Sequence, residues 1–211
     1  MRTTLTLAAG SALLLLPSCN GQKKAPASGE KTTPNIVYIL ADDMGYGDIR
    51  AYNPARKIPT PALDSLAAEG IAFTDAHTNS AVSTPTRYGI LTGRYAFRSR
   101  LKNGVLVGHD PSLIEPGRET VATLLRKGGY HTACIGKWHL GLDWARHDTT
   151  KPVFTGNPWD ITDTGNIDYA GPVHGGPSDH GFDYSYVLPA SLDIAPYVYV
   201  EDGRVNSPVS T

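Results

Sequence analysis

The sequence predicts an α/β protein with a mainly parallel central sheet and helices on both faces of that sheet. Two short runs rich in β-branched and apolar residues, 35–41 and 130–135, are typical of buried parallel strands. Helical patterns with start or stop signals lie between them, over 60–70, from Ser83 onward and over 120–127. Strands and helices that alternate along a chain favour a parallel sheet built from βαβ units.

The first strand, Asn35 to Ala41, leads directly into two acidic residues, Asp42 and Asp43. A parallel strand would carry both carboxylates to the carboxyl edge of the sheet, where open α/β sheets bind their ligands. Two adjacent carboxylates repel each other unless a hard cation such as Ca²⁺ or Mg²⁺ binds them through oxygen. An Asp-rich turn is the alternative, but the position at the sheet edge favours a metal site.

The first helix is predicted to begin at Thr60-Pro61 and to end at Gly70. Proline fits a first helical turn, and glycine commonly follows a last one. The positions of this helix that are expected to face inward are Leu63, Leu66 and Ala67. The apolar residues 71–73 then predict the start of another strand.

A second helix is predicted to begin near Ser83, because Pro85 suits a first helical turn and Ser83 can sit at or near the cap. The unpaired N–H groups of that turn, the positive end of the helix dipole and Arg87 one turn later would all favour a sulfate or phosphate group beside Ser83. From this segment alone, a capped and solvated helix with a serine and an arginine on one face is the alternative.

The third helix, Thr120 to Lys127, is expected to bury one face and to end at Gly128-Gly129. The residues of that face are Val121, Leu124 and Leu125. The strand over 130–135 follows, and it contains Cys134, which we interpret as a buried thiol that packs as a small apolar side chain.

This strand delivers Lys137 and His139 to the same edge of the sheet as the two aspartates. Since side chains alternate along an extended segment, both would point to one side while Trp138 packs on the other. A cation and an imidazole aimed together suit an anionic ester, with Lys137 neutralising charge and His139 donating or accepting a proton. For either residue alone, a surface lysine or a histidine that caps a loop is the alternative.

Three motifs in this order resemble the signature of the type I sulfatases, a family within the alkaline phosphatase superfamily. They are Asn-Ile-Val-Tyr-Ile-Leu-Ala-Asp-Asp over 35–43, Ser-x-Pro-x-Arg over 83–87 with its Leu-Thr-Gly-Arg tail, and Gly-Lys-Trp-His-Leu-Gly over 136–141. The resemblance extends to about Asp183 and implies an alkaline phosphatase-like fold. Thr86 departs mildly from the family pattern, which often has Ser or Ala there, but it is also small and polar.

The resemblance implies hydrolysis of sulfate esters, carried by a sulfated glycan or an aryl alcohol. In this family the residue at Ser83 is oxidised to formylglycine, whose hydrated gem-diol is the nucleophile. Asp42, Asp43 and Ser83 would bind one Ca²⁺. Because position 83 holds Ser and not Cys, the resemblance points to an anaerobic-type sulfatase-maturing enzyme as a partner.

The family pattern also implies roles for three other residues of these motifs. Arg87 would position the diol, Lys137 would bind the sulfate and the leaving-group side, and His139 would orient the diol and assist its second proton transfer. These roles are expectations from the resemblance.

Predicted substrate contacts lie further along the chain. The segment 191–197 resembles one found in bacterial glycan sulfatases, so Asp193 and Tyr197 are expected to contact the substrate. His180 is a further candidate, although a structural turn is the alternative for the His-Gly-Phe-Asp segment over 180–183.

The amino-terminal residues predict export and lipidation. A short apolar stretch ends in Leu16-Pro17-Ser18-Cys19, so residues 1–19 resemble a signal peptide with a bacterial lipobox. Cys19 would anchor the protein to a membrane of the bacterial periplasm or cell envelope, with an ordinary cleaved signal as the alternative. Residues 20–33 are rich in Gly, Lys, Ala, Pro, Ser and Thr and predict a flexible tether.

Residues 34–211 are then expected to form the amino-terminal part of a catalytic domain, since members of the family are considerably longer than this chain. On this interpretation the chain is truncated, its metal site lacks later ligands, and the fragment alone is inactive.

The balance of charge excludes one broad class of partner. A net charge of −1, from 19 basic and 20 acidic residues, gives no basic field of the kind that nucleic-acid binding requires. Two other functions remain open from the sequence. One is a phosphoester or phosphonate hydrolase of the same superfamily, and the other is an inactive, lipid-anchored protein that binds a glycan.

Overall fold

The computed structural model describes residues 33–157, 159 and 165–206 of the 211-residue chain. The predicted signal peptide, its Cys19 and nearly all of the predicted tether lie outside the described residues. Among the residues that are described, no helix combines the length and apolar character that a bilayer span requires. The chain divides into two units, residues 1–41 and 42–211.

In the first unit, residues 33–41 run without regular secondary structure. Ile36, Val37 and Ile39 are 58%, 82% and 81% exposed, so the prediction of a buried parallel strand here is wrong. A buried strand needs neighbours that satisfy its backbone groups on both edges. No described strand pairs with this run, and its apolar pattern alone does not make it a strand.

The second unit contains three α-helices and six short strands among its described residues. The helices are α1 (Pro61–Glu69), α2 (Ser83–Thr92) and α3 (Val121–Lys127). The strands are β1 (Ala133–Lys137), β2 (Asp143–Trp144), β3 (Val173–His174), β4 (Tyr184–Leu188), β5 (Val200–Glu201) and β6 (Arg204–Val205). Short 3₁₀ helices occur at Tyr46–Asp48, Ala96–Arg98 and Pro177–His180.

The strands form a four-stranded sheet in the order β1-β4-β5-β6 and a separate pair, β2-β3. β1 and β4 are parallel, with Ala133 opposite Tyr184 and Lys137 opposite Leu188. The other pairings are antiparallel. The α/β class is therefore confirmed, but the described sheet is mixed and not mainly parallel, because β5 and β6 return as short antiparallel strands.

Two strand predictions need correction. Residues 71–73 form no strand, and Ile71 and Phe73 are 81% and 68% exposed, because no described strand lies beside them to pair with. β1 begins at Ala133 and not at residue 130. Thr132 is instead bound to the turn before β4, where its N–H donates to Asp183 Oδ2 (2.9 Å) and its carbonyl accepts from the Asp183 N–H (2.8 Å).

The three helices begin where the sequence predicts, but the apolar faces predicted for α1 and α3 are not buried. Leu66 of α1 is 65% exposed, and Val121 and Leu124 of α3 are 41% and 57% exposed. The side of α3 that is buried carries Ala122. The backbone of Gly181 packs on that turn so closely that a Cβ at Gly181 would lie 2.6 Å from the Thr123 nitrogen.

The core lies between the loop that follows α2 and the segment that follows β1. Its fully buried large side chains include Tyr88, Leu113, Ile114, Trp138, Leu140, Leu142, Val187, Val198 and Val200. Cys134 is only partly buried and packs against this core. Burial raises the pKa of its thiol to about 11, which agrees with an unreactive, apolar role.

Removing the cap of α3 should destabilise the protein. The Thr120 hydroxyl accepts from the Thr123 N–H (3.1 Å) and donates to the His180 carbonyl (2.7 Å), and the residue is 2% exposed. T120A should lower the free energy of unfolding by about 1–2 kcal/mol, because a helix cap and a buried hydrogen bond are lost. Urea unfolding measures this, with T120S as the control that keeps the hydroxyl. Equal stability of T120A and T120S would contradict the prediction.

Candidate active site

The local sequence explains why α2 begins at Ser83. Val82 is extended (φ −127°, ψ 161°), and Pro85 is the third helical residue, where its missing N–H costs nothing. The loop before the helix is fastened to its first turn, because the Thr86 hydroxyl donates to the Ser80 carbonyl (2.8 Å). The helix ends at Gly93, whose left-handed conformation (φ 65°) suits glycine.

Arg87 connects three parts of the site. Its Nε donates to Ser83 Oγ (2.8 Å), its Nη1 to the Lys137 carbonyl (2.6 Å) and its Nη2 to Asp42 Oδ2 (3.1 Å). The side chain is only 13% exposed. The spacing of four residues within α2 places Arg87 beside Ser83, and the other two contacts orient its guanidinium.

Asp42 forms ion pairs with two basic side chains through a single carboxylate oxygen. Its Oδ2 lies 2.8 Å from Lys137 Nζ and 3.1 Å from Arg87 Nη2. The hydrogen bond from Lys137, together with the charges of Lys137 and Arg87, lowers the pKa of Asp42 even though burial opposes this. The carboxylate is therefore ionised at neutral pH, and it connects the segment that precedes α1 with Lys137 at the end of β1.

His139 is held on both sides of its ring. Its Nε2 lies 2.7 Å from the Leu106 carbonyl, and its Nδ1 lies 3.1 Å from Ser83 Oγ. A carbonyl can only accept, so we assign the ring hydrogen to Nε2. Burial, followed by the nearby positive charges of Lys137 and Arg87, lowers the pKa of His139. The neutral ring thus presents an unprotonated Nδ1 to the Ser83 hydroxyl.

The hydrogen bonds of Ser83 Oγ follow from these assignments. The oxygen accepts from Arg87 Nε and donates its hydrogen to His139 Nδ1. A hydroxyl between a guanidinium and a neutral imidazole is polarised in the sense that favours attack by its oxygen.

The predicted alternation at the end of β1 is confirmed. Trp138 is 2% exposed and donates its Nε1 hydrogen to the Gly141 carbonyl (3.0 Å), while Lys137 and His139 both contact the residues around Ser83. The backbone N–H of His139 donates to the Pro189 carbonyl (3.0 Å), which continues the pairing with the chain after β4. His139 has a positive φ of 53°, a conformation that non-glycine residues rarely adopt.

Asp43 does not join this cluster. It is exposed, with a positive φ of 58°, and it makes no hydrogen bond or ion pair within the part of the chain that is described. Of the six motif residues predicted to converge, five do so in this structure: Asp42, Ser83, Arg87, Lys137 and His139.

Asp193 is a predicted substrate contact on which the charge of Lys137 acts. A hydrogen bond from Ser191 lowers the pKa of its exposed carboxyl, and the positive charge of Lys137 lowers it further. Tyr197 is 39% exposed in the same segment. This segment packs on the loop after α2, where a Cβ at Gly108 would lie 1.9 Å from the Ala195 carbonyl oxygen.

His180 is not brought to the cluster. It is 5% exposed, its Nε2 lies 3.3 Å from Ser112 Oγ, and its ring stacks on Trp138 with centroids 6.4 Å apart. It ends a 3₁₀ helix that Gly181 terminates in a left-handed conformation (φ 99°). The alternative of a structural turn therefore describes His180 better than a substrate contact does.

A cavity of about 510 Å³ lies beside His180. Its lining includes Arg100, Ser112, Asp143, His174 and Asp179, and it shares no residue with the cluster around Ser83. The cavity and the cluster are separate features of the described chain.

Sequence reasoning missed two groups that support His139, one directly and one through its neighbour. One is the Leu106 carbonyl, which is a backbone group in a loop and leaves no signal in residue type. The other is the Thr84 hydroxyl, which accepts from the Leu106 N–H (3.1 Å). The one signal for Thr84 in the sequence was its position, as a small polar residue inside the Ser-x-Pro-x-Arg motif.

This site is of a kind that suits anionic esters. It combines the polarised Ser83 hydroxyl, the ammonium of Lys137 and the amino-terminal end of α2. Comparison with known proteins defines the family. The sulfatase family model matches residues 34–192, and the chain belongs to the sulfatase family.

Individual relatives agree with this assignment. An N-acetylgalactosamine-6-O-sulfatase of Bacteroides thetaiotaomicron is 37% identical over 193 residues, which are 92% of this chain and 34% of that protein. Arylsulfatase G of Mus musculus is 42% identical over 140 residues, 66% of this chain and 24% of that protein. This chain therefore spans about a third or less of the length of these relatives.

The fold agrees as well. A solved structure from Bacteroides thetaiotaomicron, described under the metabolism of multiple glycosaminoglycans, has a TM-score of 0.68 and 39% identity. The match covers 82% of this chain and 32% of that one. The described residues thus belong to an alkaline phosphatase-like α/β fold.

Proposed function

We propose that this chain supplies the nucleophile of a sulfatase that hydrolyses sulfate esters. The observation that carries the proposal is the environment of Ser83 Oγ, which lies 2.8 Å from Arg87 Nε and 3.1 Å from His139 Nδ1. Membership of the sulfatase family supports sulfate as the group transferred. Because the chain spans about a third of its relatives, the proposal concerns the complete protein.

The modification of Ser83 to formylglycine by an anaerobic-type sulfatase-maturing enzyme belongs to this proposal. Ser83 is the first residue of α2 and is only partly buried, and one donor and one acceptor converge on its oxygen. These contacts fit a hydroxyl of a hydrated aldehyde at the same place. The modified residue would supply an oxygen nucleophile and a second hydroxyl that allows sulfate to be released.

The neighbouring side chains have separate tasks in the proposed reaction. Arg87 holds the nucleophilic oxygen by its Nε–H, and His139 accepts a proton from it at Nδ1. Lys137 Nζ, now bound to Asp42, provides a positive charge for the sulfate oxygens. The first turn of α2 adds backbone N–H groups and the positive end of the helix dipole.

Ca²⁺ is the metal we propose for the complete site, with Asp42, Asp43 and the modified Ser83 among its ligands. The two adjacent carboxylates are exposed and offer the oxygen donors that a hard cation prefers. Within the described ranges, no group of three or more acidic, histidine or cysteine side chains is arranged to hold a metal. Ca²⁺ takes about six to eight oxygens, so these residues would form part of its shell, where the ion would offset charge on the sulfate.

A sulfated glycan is the substrate class that we favour. The name of the N-acetylgalactosamine-6-O-sulfatase relative supports a sulfated amino sugar. Asp193, an exposed acceptor whose pKa the charge of Lys137 helps to lower, is suited to bind sugar hydroxyls. Tyr197 would add a partly exposed ring nearby. We further propose that the protein acts in the bacterial cell envelope, anchored by lipid on Cys19.

Mass spectrometry of the modified peptide tests the proposed function. Trypsin should release residues 58–87, which contain Ser83, and formylglycine is lighter than serine by two hydrogens. The complete protein produced together with a maturing enzyme should show this loss and should release sulfate from 6-sulfated N-acetylgalactosamine. Protein produced without the maturing enzyme should do neither.

Two outcomes would count against the proposal. Modified protein that hydrolyses an aryl phosphate in preference to the matching aryl sulfate would indicate a phosphoester hydrolase. Modified protein that binds the sulfated sugar without hydrolysing it would indicate a binding protein.

A further inference from the structure

We propose that Thr84 is a positioning residue that fixes the ring orientation and tautomer of His139 through the Leu106 peptide group. Among the described residues, the hydrogen bond recorded for the Thr84 hydroxyl goes to Leu106 and not to a side chain of the cluster. Thr84 acts through a backbone group of the loop after α2.

The first link is the contact between Thr84 and Leu106. Thr84 is completely buried and is the second residue of α2, and its Oγ1 accepts from the Leu106 N–H at 3.1 Å. Leu106 is itself 2% exposed. A buried N–H that lost this acceptor would be left without a partner, so the hydroxyl determines how the peptide group of Leu106 is oriented.

The second link connects the same residue to His139. The Leu106 carbonyl accepts from His139 Nε2 at 2.7 Å, and the imidazole is 3% exposed. Because the carbonyl has no hydrogen to give, it requires the tautomer with the hydrogen on Nε2. That tautomer leaves Nδ1 free to accept from Ser83 Oγ, 3.1 Å away.

The contacts close into a ring. Ser83 and Thr84 are covalent neighbours on α2, Thr84 binds Leu106, Leu106 binds His139, and His139 binds Ser83. The first turn of α2 therefore positions both groups. Ser83 carries the hydroxyl, and Thr84 holds the imidazole through Leu106. His139 also has a positive φ of 53°, which is uncommon for a residue other than glycine.

The test compares two buried threonines of the same helix. T84V removes the acceptor for Leu106 and keeps the shape of the side chain. T86V is the matched control, since Thr86 is 8% exposed and its hydroxyl donates to the Ser80 carbonyl (2.8 Å), with no link to His139. T84S keeps the hydroxyl and should rescue. T84A is measured in the same way if T84V does not fold.

The main readout is the ring-nitrogen chemical shifts of His139 by NMR, measured on the complete, unmodified protein at about pH 8, above the ordinary imidazole pKa. The signals are assigned by their loss in H139Q. Wild type, T84S and T86V should show hydrogen on Nε2 and none on Nδ1. T84V should show a mixture of tautomers. Wild-type shifts in T84V, or the same change in T86V as in T84V, would overturn the proposal.

A kinetic readout deepens the proposed sulfatase function and rests on it. In the modified enzyme, T84V should lower kcat for a sulfate ester about tenfold and change KM by less than about twofold, because a misplaced group slows the reaction more than it weakens binding. T86V with the same fall in kcat would contradict this. If wild type itself releases no sulfate, the proposed function fails, while the nitrogen shifts still decide the role of Thr84.

Discussion

S83A in the complete protein should abolish the release of sulfate from an aryl sulfate, with a fall in kcat of at least about a thousandfold. The variant lacks the oxygen that Arg87 Nε and His139 Nδ1 hold at 2.8 and 3.1 Å. Nothing else in the described cluster can take its place, because Thr84 is turned toward Leu106. Steady-state kinetics and the mass of the peptide over residues 58–87 should be measured on the same preparation.

T92A is the matched control, since it removes a hydroxyl from the other end of the same helix. The Thr92 hydroxyl donates to the Tyr88 carbonyl (2.6 Å), one turn away along α2 and outside the cluster. Its kcat should stay within about twofold of wild type, because the hydrogen bond that T92A removes does not involve the cluster around Ser83. Activity retained by S83A under these conditions would remove Ser83 as the nucleophile.

Local signals were sufficient to predict the starts of the helices and much of the site. Pro61 and Pro85 occupy first turns, and Gly93 follows the last turn of α2, as their backbone preferences require. The approach of Ser83 and Arg87 follows from four-residue spacing on one helix. Helix starts and contacts between residues four apart depend on short segments, so they can be predicted from the local sequence.

The errors concern properties that depend on distant parts of the chain. The run over 35–41 has the composition of a buried strand, yet a strand exists only where another strand satisfies its backbone groups. The buried side of α3 is set by the approach of Gly181, almost sixty positions later, and not by the apolar pattern of the helix. The Leu106 carbonyl, which fixes the tautomer of His139, is likewise placed by the path of a loop.

The ion pairs of Asp42 were missed for a different reason. The sequence indicated a metal ligand, and a carboxylate has the same residue type whether it binds a metal or two cations. In the structure its Oδ2 lies 2.8 Å from Lys137 Nζ and 3.1 Å from Arg87 Nη2. These ion pairs hold Asp42 beside the end of β1. Asp42 therefore has a structural role in addition to its proposed role as a metal ligand.

R87K should lower kcat for a sulfate ester by about a hundredfold or more, even though it preserves the positive charge. Arg87 uses three different nitrogens to reach Ser83 Oγ, the Lys137 carbonyl and Asp42. A lysine ammonium is one point of charge on a flexible stem, and it cannot direct hydrogen bonds to all three at once. The Ser83 oxygen would lose its fixed position between donor and acceptor. Kinetics with saturating substrate and thermal unfolding should be measured together.

R94K separates this effect from a general loss of stability. Arg94 lies just beyond α2 and binds Glu115 Oε1 (2.8 Å) and the Arg98 carbonyl (2.6 Å), so it is also an arginine with several directed contacts. R94K should lower the melting temperature, because directed contacts of Arg94 are lost, while kcat stays within about twofold of wild type. If R87K and R94K lose activity equally, the geometry of Arg87 matters only for the fold. If R87K alone fails, the three contacts of its guanidinium serve the reaction at Ser83.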